Sequence, residues 1–206
     1  MLFAAFLSFF GCILQLIAVL SISTRDSTVK ATAWTYGESN YFQIWVGLSE
    51  VIYKQNGVTT SILWDEHNCV YDYCHECKES CDSTYNAVIV SLVTSVPQLL
   101  TDIQRSTSRG DLNCQKVMGV VTGIIGTLST LSSLSLYANG CLNNLPTTDG
   151  LGNSIDYTYG PGFACLLLAT LLKPIDVFVH LVTPVIREKD TQFASMDDAL
   201  REKVIP

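Results

Sequence analysis

Residues 69–81, CVYDYCHECKESC, carry Cys69, Cys74, Cys77 and Cys81 with His75 among them. Thiols at this density bind zinc, exchange electrons as a CxxC dithiol, or close disulfides. Each chemistry needs a different compartment. Cys74, Cys77 and Cys81 with His67 or His75 could hold zinc, although a structural zinc site ordinarily shows two separated ligand pairs and this is one cluster. Cys74 and Cys77 as a CxxC could form a redox dithiol. In an oxidising compartment the same residues become staples.

The compartment follows from the rest of the chain. Of 206 residues, 48% are hydrophobic and 15% charged, against about 25% charged in an ordinary soluble domain. The apolar residues come in four blocks. Residues 2–22, 85–101 and 117–138 are uncharged, and 163–186 is apolar apart from Lys173, Asp176 and His180. Crossing a bilayer takes about 20 residues, and each block fits. The sequence therefore predicts an all-α membrane protein, a bundle of four transmembrane helices at 2–22, 86–104, 117–137 and 163–186. Pro97 and Gln98 predict a kink in the second. A cleaved signal has an apolar core of about 7–15 residues, so the longer first block is expected to be a retained helix.

Arg105, Arg109 and Lys116 lie between the second and third blocks, and the tail 187–206 holds Arg187, Lys189, Arg201 and Lys203. The positive-inside rule then places both termini and the loop 105–116 in the cytoplasm, and the loops 23–85 and 138–162 outside. The plasma membrane is the expected location, with an organelle membrane as the alternative. The net charge is −7 and no basic stripe offers a nucleic-acid surface.

In the first outer loop, Phe42, Ile44, Val46 and Leu48 alternate with other residues at the period of a half-buried strand. Two β-rich runs flank Asn56-Gly57, a hairpin signal because both turn positions take positive φ. Residues 29–36 are a candidate for a further strand. The loop is read as a small antiparallel sheet with Trp34, Trp45, Leu48 and Trp64 as its hydrophobic anchors. Such a sheet is too small to stand alone. An outside location and a need for cross-linking favour disulfides among Cys69, Cys74, Cys77 and Cys81. Cys141, in the second outer loop, makes the external count odd, so one thiol stays free. Cys12, Cys114 and Cys165 read as reduced or packed thiols.

Four helices, cytoplasmic termini, a long strand-rich first outer loop and a short second one resemble the claudin-like tetraspan superfamily. Trp34 stands where that family has its first loop Trp, and Trp45-Val46-Gly47-Leu48 holds its Gly-Leu with the aromatic ahead of the pair. Cys69 follows Leu48 by 21 positions, a longer interval than the family's, and the other loop cysteines are additions to its pattern. The resemblance implies the fold and a role through contacts; sealing or pore formation is not carried over.

Gly119, Gly123 and Gly126 give the third helix a small-residue face for close helix packing, within the bundle or against a partner. Lys173, near mid-bilayer, is expected to form an intramembrane ion pair with Asp176, at i+3, and Asp102, on the second helix at similar depth. His180 could ligate a haem or chlorophyll metal, but a lone histidine is more often hydrogen-bonded to a neighbour. Nothing resembles a nucleophile elbow, phosphate loop or HExxH. The expectation is a non-enzymatic structural or adhesion component, or an accessory subunit, with membrane proteins and lipids as partners and no cofactor. The alternatives are a thiol-disulfide oxidoreductase using Cys74 and Cys77, or a channel or transporter subunit.

Overall fold

The computed structural model describes residues 2–64, 72–106 and 112–183. His67, Cys69 and the tail 187–206 lie outside them. Among the described residues are four helices long and apolar enough to cross a membrane: α1 (Leu2–Val19, continued by a 3-10 turn to Ile22), α3 (Asp72–Ser106), α4 (Leu112–Gly140) and α5 (Pro161–Val182). A short helix, α2 (Asp26–Thr32), follows α1. The strands are β1 (Thr35–Glu38), β2 (Phe42–Val46), β3 (Glu50–Gln55), β4 (Val58–Leu63) and β5 (Asp156–Tyr159).

The long helices have faces spaced for a bundle. On α3 the buried positions run Cys74, Cys77, Cys81, Thr84, Val88, Ser91, Ser95, Gln98, Asp102 and Arg105. Steps of three and four residues make one stripe. On α4 they run Gly119, Thr122, Gly126, Thr130, Ser133 and Tyr137. The opposite faces carry exposed Val93, Leu100, Val121, Ile125, Leu128 and Leu171, the apolar exterior that a lipid-facing bundle requires.

Two expectations about the first loop are corrected. Residues 29–36 are not one strand, because Val29, Thr32 and Ala33 are buried at helical spacing, with Asp26 in the first turn of α2 where the helix dipole favours it. From Asp72 onward the cysteine segment is helix and not loop: α3 begins fourteen positions ahead of the expected 86.

The sheet is antiparallel in the order β4-β3-β2-β1-β5. Asn56 and Gly57 make the β3–β4 turn with φ of 51° and 82°. The fifth strand comes from the connection between α4 and α5, pairing Thr35 with Tyr159 and Glu38 with Asp156. Both connecting segments therefore build one sheet. Its underside (Ile44, Val46, Val51) joins Trp34, Trp64, Tyr137, Phe163 and Leu166 in a single core over the helix ends. The fully buried Trp34 indole donates to the Ala18 carbonyl at 3.0 Å, and the Tyr137 hydroxyl donates to Thr35 Oγ1 at 2.8 Å. Sheet and bundle are thus one packed body.

Candidate functional site

The cysteines resolve first. Cys77, near the start of α3, is bonded to Cys141, just past the end of α4. Cys74 is in a disulfide as well. The CxxC is therefore not a mutually bridged pair, since Cys77 takes its partner from 64 positions away. Cys81 is the thiol that the odd count leaves over: it is free and fully buried. One turn beyond Cys77 on the same stripe, its Sγ lies 3.9 Å from the Gly47 carbonyl oxygen beneath the sheet, while Cys141 faces Cys77. His75 is exposed, so no four-ligand zinc set assembles from the described residues of the motif. Cys12 and Cys165 are free thiols, and Cys114 is exposed near the start of α4.

Of the four anchors, Trp34, Leu48 and Trp64 are buried, and the Trp64 indole donates to the Gly47 carbonyl at 3.1 Å. Trp45 is half-buried on the other face, tilted against Tyr36 and under the Lys30 ammonium at 4.9 Å.

The second feature lies deep between the helices, toward the end remote from the sheet. Each of three helices contributes to one polar cluster. From α1, Ser8 Oγ lies 2.6 Å from Asp102 Oδ2 and 3.0 Å from Asp176 Oδ2. From α3 come Gln98, whose amide donates to Asp176 Oδ2, and Asp102 and Arg105. From α5 come Asp176 and His180. Asp102 and His180 are 0% exposed and Asp176 1%. Arg105 Nη1 lies 2.5 Å from His180 Nδ1. A guanidinium only donates, so Nδ1 accepts and the ring is neutral with its proton on Nε2. That nitrogen is 2.6 Å from Asp102 Oδ1, close in distance but out of line for a hydrogen bond, since neither atom makes an aligned one. Arg105 also donates to the Thr183 carbonyl at 3.3 Å, closing the cluster at the far end.

Lys173 is buried, but its ammonium donates to Ser95 Oγ at 2.7 Å and not to either aspartate. This corrects the expected ion pair. Ser95 lies one turn sheetward of Gln98, so the lysine reaches toward the sheet end and the aspartates close on each other without it. Ser95 and Ser91 both reach the Gln15 amide, and Ser91 donates to the Gly126 carbonyl. A cavity of about 10 Å³ lies between the two groups, lined by Ser8, Gln15, Ser95, Gln98, Lys173 and Asp176. That is room for about one water molecule. Sheetward of Gln15 and Ser91 lie apolar Ala18, Val88, Leu134 and Leu166, and the buried hydroxyls of Thr84, Thr130 and Ser133 donate to backbone carbonyls and not to the cluster. The polar chain stops there.

The glycines explain why α4 can pass this cluster. A Cβ on Gly119 would sit 2.5 Å from the His180 ring, one on Gly123 would overlap Val177, and one on Gly126 would sit 2.6 Å from Lys173 Nζ. The small-residue face packs within the bundle, against α5 and α3.

Asp102, Asp176 and His180 bring three ligand atoms within 4.8 Å of one another. They do not fit a divalent cation. Coordination through Nε2 would leave a protonated Nδ1 facing a guanidinium, two donors opposed.

The expectation missed Ser8, and it used Arg105 only as a topological charge. The signal was present: Gln98, Asp102 and Arg105 stand at steps of four and three, as Lys173, Asp176 and His180 do at three and four. No protein-family model and no curated protein matches this chain.

Proposed function

We propose that the chain is a multi-pass membrane protein of claudin-like architecture that works through contacts, as a structural or adhesion component or as an accessory subunit of a larger membrane assembly. Its termini lie in the cytoplasm and its sheet outside the cell, the orientation that Arg105, Arg109, Lys116 and the basic tail support. The observation that carries the reading is the edge of the sheet. β4 is the terminal strand, and its residues Val58–Ser61 are exposed. Its sequence, VTTSIL, has neither the lysine nor the proline that commonly guard an edge. An edge left open among the described residues, on a sheet that shares its core with the bundle, is suited to strand addition by a partner. The glycine face is turned inward, so the sheet is the surface left for assembly.

The test is co-purification under mild detergent, comparing the parent chain with Thr59→Lys plus Ser61→Lys. The lysines should abolish or weaken a specific association while leaving thermal stability nearly unchanged. A chain that recovers no partner, or whose partner is held equally by the lysine variant, contradicts the reading.

A further inference from the structure

We infer that Asp102 and Asp176, bridged by Ser8, hold one exchangeable proton between them inside the bundle. The argument is a count of hydrogens. Ser8 Oγ contacts a carboxylate oxygen on each side, Asp102 Oδ2 at 2.6 Å and Asp176 Oδ2 at 3.0 Å. A serine hydroxyl has one hydrogen and an ionised carboxylate has none. With both acids ionised, one of these contacts would set lone pair against lone pair. A proton on either acid resolves it: that carboxyl donates to Ser8 Oγ, and the Ser8 hydroxyl donates onward to the other. The proton belongs to the pair and not to either acid alone.

The surroundings agree from every side. α1 contributes Ser8, a neutral group. α3 contributes the Gln98 amide, donating to Asp176, and Arg105, which faces His180. α4 presents Gly119 and Gly123, with Lys116 at its exposed end bound to the Leu181 carbonyl. α5 contributes Lys173, held by Ser95, and the neutral His180. With one proton bound, the acids and Arg105 form an electrically neutral group, the least costly state for charges removed from water. Asp102 Oδ1 and Asp176 Oδ1 are both buried without an aligned hydrogen-bond partner, so the contacts to Ser8 and Gln98 converge on the Oδ2 atoms.

The three bridged residues sit on three different helices, so occupancy bears on packing. Loss of the proton sets two carboxylates against one hydroxyl across α1, α3 and α5. Because the polar chain stops at Ala18, Val88, Leu134 and Leu166, the site is a one-ended well and not a conduit.

Infrared spectroscopy of the purified full chain reads the proton directly. At neutral pH the spectrum should show a protonated-carboxyl C=O band that moves with ¹³C-aspartate labelling and shifts in D₂O. Asp102→Asn and Asp176→Asn, isosteric changes that keep the hydrogen bonds, should each remove it. Glu50→Gln should leave it. Ser8→Ala retains both acids and should shift its frequency. Absence of a labelled band, its survival in both asparagine variants, or an unshifted band in Ser8→Ala overturns the proposal. So does uptake of Zn²⁺ or Mg²⁺ at one per chain with loss of the band, which would make this a metal site.

Discussion

Gly119 and His180 occupy each other's space: a Cβ on the glycine would lie 2.5 Å from the imidazole Cε1. The imidazole in turn sits between Arg105 and Asp102. Helix packing and the polar cluster are therefore one arrangement, and neither can be changed alone.

Gly119→Ala should destabilise the protein by about 1–3 kcal/mol, the usual cost of overpacking a filled core. Gly123→Leu should cost more, since Val177 and Gln98 both stand in the way. Thermal melting in detergent checks both. A double-mutant cycle with His180→Ala should recover part of the Gly119→Ala loss and none of the Gly123→Leu loss. Additive losses at Gly119 would show that the ring is not what the methyl meets.

The cysteines should separate into two kinds. Cys77→Ser or Cys141→Ser should lower stability by about 2–5 kcal/mol, as removing a native disulfide does. Non-reducing peptide mapping should recover a Cys77–Cys141 link. Cys81→Ser should leave that link intact and cost only what a buried hydroxyl beside the Gly47 carbonyl costs. A Cys81-containing disulfide in the map would show the pairing to be wrong.

What was legible in the sequence, and what was not, divides by the range of the interaction. The four apolar blocks and the Asn56-Gly57 hairpin are local signals, and the corresponding elements form close to their expected positions. The start of α3 was missed because charge and cysteine density read as loop, although Cys74, Cys77 and Cys81 stand at helical spacing. The β5 strand was missed because Asp156–Tyr159 is too short to announce itself and exists through pairing with β1. The partner of Lys173 was missed because depth in the bilayer gives a layer and not a direction. Ser95 lies about one helical turn sheetward of the aspartates, and only the packed bundle shows which way the lysine reaches.

Asp149 should make the sheet-end loops acid-sensitive. Its carboxylate accepts the Leu151 and Asn153 amides, the Asn153 side chain and the Ser39 hydroxyl. These donors, the Asn153 side chain foremost, hold it at about 2, against about 3.9 for an unfolded aspartate. For a depressed acid, the stabilisation is present above the unfolded value and is lost as pH falls through the folded one. Melting temperature should therefore fall between about pH 4 and pH 2, and Asp149→Ala should remove that part of the slope. An identical acid limb in the variant would show that Asp149 is not the group responsible.

Glu50 should act in the opposite direction. It begins β3, only 2% exposed, and its Oε1 is buried without a hydrogen-bond partner among the described residues. Burial, and then the negative charge of Asp26, push its carboxyl up from the ordinary glutamate value. A raised acid favours the folded state most when protonated, below its unfolded value of about 4.3, and that advantage is lost as pH rises through the folded value. At neutral pH the ionised side chain is then a cost to the fold. Glu50→Gln keeps the shape and removes the charge, so it should raise stability at pH 7 by about 1 kcal/mol, the scale of an unsatisfied buried polar group. The advantage should shrink as pH falls through the folded value and be gone below the unfolded one, where both side chains are neutral. Asp26→Asn should give a smaller gain in the same direction, because it removes only the second cause. Urea or thermal unfolding of the three proteins at pH 7 and at pH 4 decides the matter. If Glu50→Gln is the less stable protein at pH 7, the carboxylate has a partner that stabilises its charge, and the sheet underside depends on that charge.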